Sequence, residues 1–264
     1  MRPLGVIGNL SRDVIAGTRP QIGGGPWHAA RALHVLGTEA FVLAKCGRED
    51  RHAFQAKLAS LGVPVFLAAG QTTTGFSFAY DEHGVRTMSV ESIGEPWRYD
   101  ELPPTLLRRI EWLQVAPLLR GEVDAALLER LGRGRRLLLD AQGLVRARQL
   151  GPLVLDADFD PELLRHVTVL KLSVEEAEVV ADGHDLESLA SLGVPEVVVT
   201  FGLEGSLVLA DGVATRVPAH PVHRDPTGAG DAFGIAYLAA RAAGHAPVSA
   251  ARRATALVAA LLQR

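Results

Sequence analysis

The sequence predicts an α/β fold, a mostly parallel sheet with helices on both faces and a small β-lid. Three observations carry this reading. Continuous apolar runs at 4–7, 113–115, 137–139, 167–170 and 197–199 are bounded by polar or turn residues, as in strands covered on both faces. Stretches of helical period fall between such runs, and that alternation argues for a parallel sheet. Two further stretches, 75–90 and 206–217, alternate with period two around turn residues and read as hairpins.

Taken in order, 26–36 places Ala29, Leu33 and Leu36 on one helical face. Residues 75–80 put Phe76, Phe78 and Tyr80 on one side of a strand; Asp81-Glu82-His83-Gly84 supplies the turn, and 85–90 returns. Lying between helical segments, this hairpin is expected to stand out as a lid, formed by segments near 10–22 and 72–92. Helical patterns recur at 124–131, 174–181 and 186–192. The second hairpin joins 206–210 to 213–217 through Asp211-Gly212, and Ala-rich helices follow at 234–243 and 250–262. Without an internal repeat, low-complexity tract or linker, residues 1–264 read as one domain with its lid.

Composition narrows the function. Hydrophobic residues are 48%, charged residues 22% and the formal net charge is -3, with no long run of one sign. No electrostatic footprint for nucleic acid or an anionic membrane results. Every apolar run is broken well before the roughly 18 residues of a membrane span. The amino terminus lacks the apolar core of a secretory signal, so the expectation is a soluble, cytoplasmic protein. Cys46 is the single cysteine, which excludes an intrachain disulfide and a cysteine-based zinc cluster.

The chemistry concentrates in Asp225-Pro226-Thr227-Gly228-Ala229-Gly230-Asp231-Ala232-Phe233, which leads into an apolar helix. Glycines at a helix start let backbone N–H groups approach an anion, and the helix dipole adds partial positive charge. Asp231 then stands beside that anion. N–H groups that hold a phosphate, with a carboxylate to accept the proton of an attacking hydroxyl, are what phosphoryl transfer requires. Other polar groups fall at strand carboxyl ends, where open α/β sheets bind ligands. Asp140, Gln142 and Arg146 follow one strand; Lys171, Ser173 and Glu176 another; Thr200, Gly202 and Gly205 a third. Ser173-x-x-Glu176 also fits a capping box, a role compatible with a metal or phosphate contact. A nicotinamide-dependent dehydrogenase is excluded, because no Gly-x-Gly-x-x-Gly turn follows the first strand.

Residues 225–233 resemble the carboxy-terminal signature of the ribokinase-like (phosphofructokinase B) carbohydrate kinases. Gly23-Gly24-Gly25, with a helix ending at Leu36-Gly37, resembles their amino-terminal glycine signature, and Asp13 after Gly8-Asn9 their substrate-hydroxyl aspartate. Asp140-Ala141-Gln142-Gly143-Leu144-Val145-Arg146, the stretch 170–177 and Asp225-Pro226-Thr227 look most like myo-inositol kinases and their bacterial relatives. The resemblance implies a ribokinase-like three-layer sandwich and an ATP- and Mg²⁺-dependent kinase acting on a sugar or polyol, inositol-like compounds included. It makes Asp231 the base and Gly228, Ala229 and Gly230 the anion hole. Lys171, Ser173, Thr200, Gly202, Gly205 and Thr227 would meet the nucleotide, Glu176 the metal, and Asp13, Gly24, Gly25, His28 and Arg146 the acceptor.

The sequence departs from the family pattern in places. Ser173 stands where many members have asparagine, and His28 where many have a substrate-contacting asparagine. The sequence given ends at Arg264, where relatives often continue over the adenine, so the base contacts are expected to differ. Two alternatives remain: a nucleoside kinase of the same family, and a non-catalytic sugar- or nucleotide-binding protein on its scaffold. Exposed lid edges make a homodimer through the lid an expectation.

Overall fold

The structure, a computed structural model, describes residues 2–15, 18–80, 86–219 and 227–263. The turn at 81–84, and Asp225 and Pro226 of the glycine signature, lie outside the described residues. The strands, in chain order, are β1 Leu4–Asn9, β2 Ser11–Ile15, β3 Gln21–Gly23, β4 Ala40–Gly47, β5 Val65–Gly70, β6 Thr74–Tyr80 and β7 Arg86–Ser92. They continue with β8 Trp112–Val115, β9 Arg136–Asp140, β10 Gly151–Pro152, β11 Val169–Ser173, β12 Glu196–Thr200, β13 Ser206–Ala210 and β14 Val213–Val217. The helices are α1 Gly25–Leu36, α2 Arg51–Ala59, α3 Pro104–Leu107, α4 Ala125–Gly132, α5 Gln142–Val145, α6 Val174–Ala181, α7 Leu186–Ser191, α8 Ala229–Ala242 and α9 Pro247–Leu262.

Nine strands form the main sheet in the order β14-β13-β12-β11-β9-β8-β1-β4-β5. Pairing is parallel from β12 to β5, and the hairpin β13–β14 adds an antiparallel edge. Side chains alternate between two cores. Leu138, Val169 and Val198 face a layer with α1, α8 and α9, whereas Leu137, Leu139, Leu170, Leu172, Val197 and Val199 face the opposite layer with α4. Both faces are apolar because both are covered, which is why the strands read as unbroken runs. Burying each such Leu or Val contributes about 1.5–3 kcal/mol.

The strand expected at 167–170 lies instead at Val169–Ser173, because Val167 closes the 3₁₀ turn Pro161–His166. Lys171 therefore sits inside a strand rather than beyond its end. A buried ammonium is tolerated there because the Asp140 carboxylate on the neighbouring strand lies 3.1 Å away. Sequence reasoning also missed β4, which is buried throughout although it contains Lys45. The Lys45 ammonium donates to the Pro96 carbonyl at 2.8 Å and to Glu101, satisfying a charge that had masked the strand.

The second sheet has the order β10-β7-β6-β2-β3, mostly antiparallel, with β2 and β6 parallel. Phe76, Phe78 and Val90 of this lid pack on Leu118 and Leu119, which follow β8. Polar groups tie its root to the body. Arg12 donates to Glu49 and Asp50, and Thr73 to Asp50 at 2.6 Å.

At the amino ends of the main strands, Glu196 accepts from the Tyr237 hydroxyl at 2.8 Å and from Arg241. This buried network fixes α8 against β12 at the end of the sheet remote from the strand carboxyl ends.

Candidate active site

A cleft of about 1030 Å³ runs along the carboxyl ends of the main strands, between the lid and the start of α8. Asp13, Gly24 and His28 line it on the lid side, together with Phe76, Phe78, Met88 and Leu118. Asp140, Gln142, Arg146, Lys171 and Asp231 line its middle. Ser173, Glu176, Thr200, Gly202 and Thr227 also face the cleft, with Phe201, His184, Glu204 and Arg216 beyond them.

The start of α8 has the features that could seat an anion. Gly228, the N-cap, adopts φ 78°, and no side chain among the described residues caps the helix. The N–H groups of the first turn are thus left for an external acceptor, and the helix dipole favours a negative one. Only glycine fits at 228. The conformation is left-handed, and an added Cβ would overlap the imidazole of His28, which projects from α1. Gly228→Ala is therefore expected to destabilise the fold by about 1–3 kcal/mol and to abolish transfer, readable as a lowered Tm and kcat. Wild-type turnover in that variant would contradict the assignment of this turn.

Asp231 occupies the first turn of α8. Its Oδ1 is buried and accepts no hydrogen bond among the described residues. An orphaned carboxylate oxygen is costly in a folded protein, and facing a cleft it marks a position where an outside donor docks. Burial, then the nearby Asp140 charge, push the Asp231 carboxyl up to about 7, against the pull of Lys171 and Arg146. Gly25 makes room for this group, since a Cβ there would stand 2.9 Å from Oδ1. Gln114 supports the turn from below, its amide donating to the Asp231 carbonyl at 3.4 Å.

Lys171 lies beside Gly230, where an added Cβ would stand 3.2 Å from its Nζ. Burial lowers its affinity for a proton, but Asp140, Glu176 and Asp231 together hold its pKa above the ordinary lysine value. Glu176 is locked in a capping box: Ser173 N donates to its Oε2 at 2.8 Å, and its own N donates to Ser173 Oγ at 3.2 Å. Burial raises the Glu176 pKa, with Lys171 opposing. Among the described residues, no cluster of three or more His, Cys, Asp or Glu side chains is arranged to hold a metal. Mg²⁺ needs none, because it retains waters and shares donor phosphate oxygens with one or two carboxylates. Glu176, within the cleft, suits that requirement.

The structure thus brings most of the sequence-selected residues to one cleft. Gly25 acts behind the wall, and Gly205 does not line the cleft. Gly205 has φ 106° and its Cβ would collide with the Val217 carbonyl, so it shapes the β12–β13 turn by accepting from Phe201 N at 2.8 Å. Sequence reasoning did not single out Met88, Leu118, His184, Phe201, Glu204 or Arg216. They come from the lid, the turn after β8, the turn after α6 and the β12–β14 region, and only folding gathers them. Trp27 packs against the body core.

Comparison with known proteins bears on the family and the fold. The model of the pfkB family carbohydrate kinases matches residues 15–264. Inositol 3-kinase from Oryza sativa subsp. japonica is 30% identical over 247 residues, 86% of this chain and 60% of that protein, so the chain spans only part of its length. Cytidine kinase from Thermococcus kodakarensis is 26% identical over 253 residues, covering 90% of this chain and 88% of that one. Among solved structures, a pyrophosphate-dependent kinase in the ribokinase family, complexed with a pyrophosphate analog and myo-inositol, superposes with a TM-score of 0.84. It is 27% identical and covers 99% of this chain and 95% of its own. Ribokinase from Thermotoga maritima, 17% identical with a TM-score of 0.77 over 100% of this chain and 94% of its own, shares the fold. With the family model spanning nearly all of its residues, a ribokinase-like sheet and lid, and a glycine turn opening α8 at a cleft, this chain belongs to the pfkB family of carbohydrate kinases.

Proposed function

We propose that the protein transfers the terminal phosphoryl group of a polyphosphate donor to a hydroxyl of an inositol-like polyol. The observation that carries this is the Asp231 Oδ1, unpartnered among the described residues, beside the start of α8, which none of them caps, in a cleft large enough for both substrates.

The acceptor enters on the lid side, facing Asp13, Gly24, His28 and Arg146. Its hydroxyl hydrogen-bonds Asp231, which takes the proton as the oxygen forms its bond to phosphorus. The bridging P–O bond breaks, and the leaving phosphate departs with that bond's electrons. First-turn N–H groups at Ala229 and Gly230 stabilise charge on the transferring oxygens. Lys171, Ser173, Thr200, Gly202 and Thr227 flank the donor, and Glu176 would hold Mg²⁺, which when bound neutralises phosphate charge. Apolar lid residues Phe76, Phe78 and Met88 exclude water, so that the alcohol rather than water attacks the phosphorus.

The rice inositol 3-kinase, and the solved relative carrying myo-inositol, support a polyol acceptor. ATP is the donor expected from the family; the pyrophosphate analog in the same relative supports inorganic pyrophosphate instead. The test is a product screen over myo-inositol, ribose and cytidine, each with Mg²⁺-ATP and with Mg²⁺-pyrophosphate. Highest kcat/KM for myo-inositol is the expected result. Preference for cytidine would transfer the reading to a nucleoside kinase, and no phosphorylated acceptor at all would reject it.

A further inference from the structure

The far end of the cleft, past Thr200, is furnished in a way that the acceptor chemistry does not use. Arg216 on β14 holds its guanidinium 4.1 Å over the ring of Phe201. His184 meets the same ring edge-on, centroids 5.3 Å apart and planes at 73°, and is itself held by Glu178 at 3.0 Å. Phe201, His184 and Arg216 all line the cleft. Arg216 pairs in the sheet with Leu207, two strands from β12. That is roughly 10 Å at ordinary strand spacing, and its long side chain spans part of the distance by lying back over Phe201.

Two consequences follow. The Phe201 face, the natural stacking platform for a purine at this end, is already covered by a cation, so a base would have to displace it. Moreover, Arg216 has no carboxylate at ion-pair distance among the described residues, although Glu204 lines the same end. Lys171 differs, because Asp140 at 3.1 Å already neutralises it. A planar guanidinium free of a carboxylate is suited to phosphate oxygens.

We infer that Arg216, seated on Phe201, is the donor-side specificity residue: it binds the leaving phosphate of inorganic pyrophosphate and disfavours a nucleotide. This rests on the kinase reading above. In the reaction, the acceptor oxygen bonds to one phosphorus, the bridging P–O bond breaks, orthophosphate leaves at Arg216, and the acceptor proton goes to Asp231.

Arg216 is exposed on an edge hairpin, so Arg216→Ala is expected to fold, which a thermal melt checks. Initial rates with myo-inositol would be measured for wild type, Arg216→Ala and Arg216→Lys, varying Mg²⁺-pyrophosphate and Mg²⁺-ATP separately. Calorimetric titration with Mg²⁺-pyrophosphate would accompany them. Loss of a charge-assisted contact predicts that Arg216→Ala raises KM and Kd for pyrophosphate about 10- to 100-fold, with the ATP KM unchanged or lower. Arg216→Lys should lie between, since charge is kept but the planar fork is lost. Equal changes for both donors, an unchanged pyrophosphate Kd, or a wild type that uses ATP as well as pyrophosphate would each overturn the inference. If the wild type binds pyrophosphate through Arg216 yet transfers nothing, the kinase reading fails while the binding role stands.

Discussion

Asp231→Asn is expected to lower kcat about 10²–10⁴-fold while leaving the fold and donor affinity close to wild type. The amide is nearly isosteric and removes only the ability to take a proton. Its environment explains why this residue can act as a base near neutrality. Burial and the Asp140 charge lift the carboxyl to about 7, so it holds its proton in acid and releases it as pH rises. Activity should therefore climb with pH through the region near 7 as the ionised form appears. Asp231→Asn should lack that ascending limb. Steady-state rates from pH 5.5 to 9, with calorimetry for donor binding, check both statements. A variant with near-normal kcat, or a wild type whose rate is flat across that range, would remove Asp231 from the base role.

Lys171→Met is expected to be the most destabilising single change at the site, by about 3–5 kcal/mol. Lys171 and Asp140 are both buried, on adjacent parallel strands, with nitrogen and oxygen 3.1 Å apart. Removing the ammonium strands the Asp140 carboxylate in the sheet interior, where it must either stay charged without a partner or take up a proton. Urea unfolding should show a lowered midpoint with an unchanged slope. Adding Asp140→Asn to Lys171→Met should recover much of the loss, because no uncompensated charge then remains. Equal stability of the single variant and wild type would show that the pair contributes nothing to holding β9 and β11 together.

The parts of the fold that were legible in the sequence obey local rules. Runs such as 137–139 and 197–199 are apolar throughout because two helical layers cover them, and Gly228-Ala229-Gly230 announces the start of a helix. What the sequence concealed depends on partners distant along the chain. β4 contains Lys45, whose charge is answered by Glu101 and the Pro96 carbonyl, 51 residues or more away. The end of β11 was placed too early because Lys171 looked like a residue beyond a strand until Asp140 supplied its counter-charge. At the site, Asp13, Asp231 and the glycines were readable as types suited to phosphoryl transfer. The opposing wall was not: Phe201, His184 and Arg216 come from three segments that meet only through the β12-β13-β14 end of the sheet and the turn after α6. Gly205 illustrates the reverse case. It reads as a ligand-contacting glycine, yet its positive φ serves a turn whose crowding comes from the Val217 carbonyl.

The most direct test is a phosphorus NMR time course with Mg²⁺, myo-inositol and either pyrophosphate or ATP, run on wild type and on Asp231→Asn. Wild type should convert the donor's terminal phosphorus into an inositol phosphomonoester, and Asp231→Asn should leave bound donor intact. Orthophosphate without any monoester from wild type, or monoester formed by the variant at a comparable rate, would contradict an account in which this carboxylate deprotonates the acceptor beside the α8 turn.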